Sequence, residues 1–131
     1  DWLKMGKLKT TLKPKVLSLG DNSGLITAIS NDISFEEIFA LQLDSLGSPG
    51  DLLIAISSSG NSQNILNAMI KAKTIGMDII SINGFDGGKS KEISDAHIHI
   101  ESENYGIIED VSQCIMHLLV QQLRYEFAAD K

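Results

Sequence analysis

The sequence predicts an α/β fold, a doubly wound parallel sheet with helices on both faces, from three features. The apolar run at 52–56 is short, continuous and bounded by turn residues, as in a strand covered on both sides, and Asp78 to Ile82 reads as the next strand. Between them Ile65, Ala68, Met69, Ala72 and Ile75 recur at helical spacing, so a helix separates the two strands. Strand and helix patterns alternate through the rest of the chain, and that alternation builds parallel sheets.

Each element follows from its own signals. Lys15 to Leu19, after Pro14, reads as a short strand, followed by a turn at Gly20–Ser23 and a helical segment from Leu25 to Ile29. Ser34 with Glu37 three residues on forms a capping box. The helix behind it runs to about Leu46, where Gly47, Pro49 and Gly50 stop it. Leu52–Ile56 is the next strand and Ile65 to Ile75 the apolar stripe of the helix after it. Asp78 to Ile82 forms a strand ended by Asn83 and Gly84. A helical turn near Lys89 to Ile93 leads to a strand at Ala96 to Ile100, and a long helix from Tyr105 to about Leu123 closes the pattern.

Composition narrows the function. With 131 residues, 43% of them hydrophobic, the chain has core enough for one domain spanning 1–131. A formal charge of −6 argues against electrostatic nucleic-acid binding. Lys4, Lys7, Lys9, Lys13 and Lys15 cluster near the start and read as a solvated face. Cys114 is alone, which excludes an internal disulfide and fits a reducing cytoplasm. No apolar run reaches the length of a bilayer span, and no signal peptide or repeat is visible.

Chemistry concentrates between the strand at 52–56 and its following helix. Four serines (Ser57, Ser58, Ser59 and Ser62) fall within six positions, interrupted by Gly60 and Asn61. A loop that opens a helix presents unpaired N–H groups and the positive end of the helix dipole. Serine hydroxyls add neutral donors, and Gly60 lets the backbone approach a ligand. These are the means to hold a phosphate monoester without a lysine. A structural turn with a serine N-cap accounts for two of these residues, but not for four hydroxyls.

A second cluster lies on the last helix. Glu109, Gln113 and His117 are spaced i, i+4, i+8 and form one polar stripe beside an apolar face of Ile107, Ile108, Val111, Ile115, Leu118 and Leu119. Glu109 and His117 are two turns apart, about 12 Å along the axis, so a ligand between them is needed to touch both. A histidine so placed is by itself an ordinary packing residue. His97 and His99 point to one face of a strand and read as partly exposed residues with no third metal donor evident.

The string ISSSGNSQN closely resembles the phosphate loop of the sugar isomerase (SIS) domain. LGDNSGLITAISND at 19–32, GSPGDLLIAIS at 47–57, SINGFDGGK at 81–89 and the last helix resemble the phosphoheptose isomerase branch, in the family's order. The resemblance implies an SIS-type, flavodoxin-like three-layer sandwich. It further implies isomerisation of sedoheptulose 7-phosphate, an aldose–ketose interconversion through an enediol. Ser57, Ser58, Ser59, Gly60 and Ser62 would bind the phosphate. Asp32 would border the sugar, and His117 would be the acid/base group and, in zinc-bearing members, a metal ligand. Glu109 stands where the family has glutamine, which puts metal and substrate preference in question while leaving Glu109 a candidate sugar or zinc ligand.

The resemblance also implies a cytoplasmic homotetramer with sites shared between chains. The family's first phosphosugar loop, Gly-Asn-Gly-Gly-Ser, and the helix bearing its catalytic glutamate have no counterpart here. Asp1-Trp2-Leu3 resembles the tail of that helix, so the sequence is expected to be part of a longer protein. The rival is a non-catalytic SIS module, regulatory or replication-initiator-associating, that binds a phosphosugar or a protein partner. A nucleotide-binding domain would need a G-x-G-x-x-G or Walker pattern, which is absent.

Overall fold

Three segments become strands because each finds a partner for its backbone. The computed structural model describes residues 2–7 and 10–128; Asp1 and Lys9 lie outside the described residues. In chain order the elements are α1 (Trp2–Lys7), α2 (Ser23–Asp32), a 3-10 turn (Phe35–Glu37), α3 (Ala40–Leu46), β1 (Leu52–Ile56), α4 (Gln63–Ile75), β2 (Asp78–Asn83), α5 (Ser90–Ile93), β3 (Ala96–His99) and α6 (Tyr105–Glu126). The strands form a parallel sheet in the order β1-β2-β3, with Leu53 opposite Ile79 and Ile82 opposite Ile98.

Side chains alternate across a strand, so this register sorts the sheet into two apolar faces. Leu53, Ala55 and Ile79 share one face and pack with Leu43 of α3 and Ala68, Met69 and Ala72 of α4. Ile54, Ile82 and Ile98 share the other and pack with Ile108, Val111, Ile115 and Met116 of α6. The result is helix, sheet, helix: the expected three-layer α/β arrangement. Ile79 and Ile82 have no exposed surface, and truncating either to Ala should cost about 2–5 kcal/mol.

α4 carries its apolar stripe inward and ends at Gly76, whose φ of 90° lets its N–H reach back to the carbonyls of Ala72 and Lys73. α3 lies against α4, and Lys71 meets Asp44 at 2.9 Å on the surface. Buried Gln42 donates to the carbonyls of Leu19 (3.0 Å) and Ile38 (2.7 Å), anchoring the segment ahead of α2.

Three expectations need correction. Lys15–Leu19 is not a strand: it runs irregularly into a turn at Leu19, no strand lies beside it among the described residues, and Leu17 is 71% exposed. An alternating sequence becomes a strand only by pairing. The capping box at Ser34 does not form, and Phe35–Glu37 is a 3-10 turn without a side-chain cap. Glu37 instead accepts from Asn67 Nδ2 of α4 at 2.7 Å, and Ser34 hydrogen-bonds Glu36. Glu36's own backbone and then Ser34 hold its carboxyl below the usual value.

The third correction concerns α6. Its buried line is Ile108, Ser112 and Val120, whereas Ile107 and Leu118 face outward. Ser112 sits at the centre of that line, its hydroxyl bonded to the Ile108 carbonyl at 2.7 Å. A polar residue in the middle of the packed face rotates the apparent apolar stripe away from the true one.

Candidate functional site

The serine loop occupies residues 57–62, between the carboxyl end of β1 and the amino end of α4, where doubly wound sheets hold ligands. Ser57 continues alongside β2, its N–H donating to the Ile82 carbonyl at 3.1 Å, and is 7% exposed. The Ser57 hydroxyl donates to Ser62 Oγ across 3.4 Å, a long and weak bond. Ser62 is the N-cap residue of α4, yet its side chain makes no capping bond to the first turn. Ser59 Oγ accepts from the Asn61 N–H at 3.2 Å.

Gly60 departs from expectation in one respect. Its N–H donates to the Ser57 carbonyl at 3.0 Å, closing a turn, and so does not point at a ligand as a free donor. Its contribution is conformational: φ is +65°, and an added Cβ would meet the backbone of Gly87.

A neighbouring loop, residues 84–89, supports the serine loop. Gly84 N–H donates to the Ser58 carbonyl at 2.9 Å, Ser90 N–H to the Gly60 carbonyl at 3.0 Å, and Lys89 N–H to Asn61 Oδ1 at 3.1 Å. Asn83 and Ser90, both fully buried, lie behind these contacts. On its other side the loop reaches α6: Phe85, with φ of 49°, meets Tyr105 in a tilted ring contact, 4.9 Å between centroids and 57° between planes, and Gly84 abuts Ile108. Positive φ is uncommon at a bulky residue and marks local strain. A surface depression beside the loop is lined by Asn61, Asp86, Gly88, Lys89, Lys91 and Glu92, and includes none of the serines.

The sequence highlighted the serines but passed over Asn61, Asn83 and Ser90. In the sequence Asn83 marks only a strand ending; a polar side chain at the carboxyl end of an inner parallel strand is the further signal it carries.

The other expected residues sit apart. Glu109, Gln113 and His117 are all exposed on α6, whose main packing partners are α1 and β2. Asp32 ends α2, exposed, and accepts from Asn31 Nδ2 at 2.8 Å.

His97 is part-buried and His99 exposed, their rings 5.8 Å apart on one face of β3. Ser94 Oγ donates to the Lys91 carbonyl (3.3 Å) and Ser81 Oγ to Ser94 Oγ (2.9 Å). Nδ1 of His97, 2.9 Å from Ser81 Oγ, must then carry the proton of that pair. Nε2 is left a buried acceptor with no partner. Burial, then the nearby His99 and Lys91, hold the His97 pKa below its ordinary value of 6.5.

Among the described residues no group of three or more His, Cys, Asp or Glu side chains is arranged to hold a metal ion. Glu109 and His117 supply two donors, fewer than the three protein ligands of a catalytic zinc site. A zinc ion held by this pair would draw its remaining ligands from other groups. No helix of the described residues is long and apolar enough to cross a membrane.

Comparison with known proteins places this geometry. The SIS domain profile matches residues 6–84. A phosphoheptose isomerase of Helicobacter pylori strain P12 is 41% identical over 112 residues, 86% of this chain and 58% of the relative. A probable phosphoheptose isomerase of Thermoplasma acidophilum is 33% identical over 111 residues, 85% of this chain and 61% of the relative. Two solved phosphoheptose isomerases share the fold. The Francisella tularensis structure has a TM-score of 0.79 at 32% identity, covering 82% of this chain and 58% of that one. The Neisseria gonorrhoeae structure has a TM-score of 0.80 at 30% identity, covering 82% of this chain and 61% of that one. The chain thus spans about three fifths of the length of these relatives. By sequence and fold alike, this chain belongs to the SIS domain family.

Proposed function

We propose that this chain is a phosphosugar-binding domain of an aldose–ketose isomerase, most like sedoheptulose 7-phosphate isomerase. The observation that carries the reading is the state of the serine loop. Ser62 stands at the N-cap of α4 with its hydroxyl uncommitted to the first turn, facing the buried Ser57 hydroxyl. A loop whose serines served only as caps would use that hydroxyl on the helix. Phosphoheptose isomerase relatives at 33–41% identity support the same substrate class.

In this reading Ser57, Ser59 and Ser62 donate to the phosphate oxygens of the open-chain sugar, with the Ser58 amide and the dipole of α4 adding to the attraction. A base removes the proton on the carbon beside the carbonyl while the carbonyl oxygen gains one, giving an enediol. Return of a proton to the neighbouring carbon and loss of the hydroxyl proton complete the isomerisation. His117 carries protons between substrate atoms, since histidine is the side chain suited to both directions near neutral pH. The partner base is a carboxylate outside this sequence. Asp32 and Glu109 border the sugar. The exposure of Glu109 and His117 on α6 fits a site closed by another chain, as in a homotetramer. No step is routed through zinc.

A second reading is a non-catalytic module that binds a phosphosugar or a protein partner. An isomerase assay with sedoheptulose 7-phosphate decides between them: turnover supports the enzyme, and tight binding without turnover supports the module. Equal affinity for sedoheptulose 7-phosphate in the parent and in a Ser57→Ala/Ser59→Ala variant would rule out the phosphate site itself.

A further inference from the structure

We propose that Asn83 and Ser90 are positioning residues that set the shape of the serine loop from behind; the inference rests on the phosphate reading of that loop. Neither side chain has any exposed surface, so neither can touch a substrate. Asn83 Nδ2 donates to the Ser57 carbonyl at 2.6 Å, and Asn83 Oδ1 accepts from Ser90 Oγ at 2.9 Å. The Ser90 hydroxyl also lies 3.1 Å from the Gly87 carbonyl, and its backbone N–H holds the Gly60 carbonyl at 3.0 Å. Two buried residues thus hold the first serine and the central glycine of the loop at once.

Ser57 gives the geometry its force. Its carbonyl receives two donors, Asn83 Nδ2 and the Gly60 N–H. Together they fix the peptide plane after Ser57, and with it the direction of the Ser58 amide. An apolar residue at 83 would pack as well in a buried position, so an amide there needs a reason beyond filling space. Orientation of a donor array is such a reason, because donors hold an anion well only when they converge without reorganising.

The test is a kinetic cycle on the protein with Asn83→Ala, Ser90→Ala, Ser57→Ala and the Asn83→Ala/Ser57→Ala double variant, using sedoheptulose 7-phosphate. Positioning predicts that KM rises about tenfold in Asn83→Ala and less in Ser90→Ala, with kcat within about twofold of the parent. Asn83→Ala should keep most of its effect once the Ser57 hydroxyl is gone, because it acts through the Ser57 carbonyl and the Ser58 amide, which Ser57→Ala leaves in place. A purely architectural role would lower the melting temperature and leave KM of the folded enzyme alone. If Asn83→Ala fails to fold, Ser90→Ala decides. Unchanged KM in a folded Asn83→Ala or Ser90→Ala, beside a raised KM in Ser57→Ala, overturns the brace and leaves the phosphate reading standing. Unchanged KM in Ser57→Ala itself overturns both.

Discussion

Ser57 is 7% exposed and held through its backbone by β2 and by Asn83, whereas Glu109 and His117 stand on the solvent side of α6. The two regions carry the two halves of the proposed chemistry, anchoring and proton transfer. The anchoring half is built by contacts within this chain. The proton-transfer half is carried on the exposed side of α6. Binding of the anion and catalysis should therefore respond to different perturbations, and the fold should tolerate changes on α6 far better than changes around the serine loop.

The strongest test of that contrast is His117→Ala. Turnover should fall by roughly 10²–10⁴-fold, the usual worth of a general acid–base group, while circular dichroism and melting temperature stay near the parent. Unchanged turnover would remove His117 from the mechanism. Ser57→Ala with Ser59→Ala should instead weaken phosphosugar affinity by about 1–3 kcal/mol per lost partner, read by calorimetry. Gly60→Ala should destabilise the fold by roughly 1–3 kcal/mol in denaturant titration, since its positive φ and its contact with Gly87 both resist a side chain. A neutral Gly60→Ala would mean the two loops are less tightly joined than their bonds indicate.

Acid sensitivity belongs to the interior side of the comparison. His97 is kept neutral in the fold, its pKa below 6.5 first through burial, then through His99 and Lys91. Below pH 6.5 the unfolded chain takes up a proton that the folded chain resists. Stability present above that pH should thus be lost as pH falls toward the lower folded value. His97→Asn should show a shallower decline between pH 7.5 and 5 in denaturant midpoints; an identical slope would place the acid sensitivity elsewhere. The smallest effect should come from Lys71→Ala, which removes a surface pair with Asp44 worth about 0–1 kcal/mol.

What the sequence revealed follows the range of the forces involved. β1 was legible because burial on both faces of a sheet writes a continuous apolar run, β2 and β3 because isoleucines recur between turn residues, and α4 because burial of one helix face writes a period near four. Lys15–Leu19 misled because its alternation carries no information about whether a partner strand lies beside it. α6 misled in rotation, since Ser112 sits where a hydrophobic residue was expected. In the site, four hydroxyls ahead of a helix were conspicuous. Asn83 and Ser90 were not, because their roles arise from contacts 26 and 7 residues apart in the chain. Glu37 illustrates the same limit: local spacing assigned it to a cap, and a residue 30 positions away claimed it.

The central claim is that the serine loop receives the phosphate, and an amide NMR titration of the protein with sedoheptulose 7-phosphate, alongside inorganic phosphate, tests it most directly. Saturable shifts centred on the amides of Ser57 to Asn64 with both ligands are the expected result. Shifts that leave those amides unmoved while others respond would contradict it.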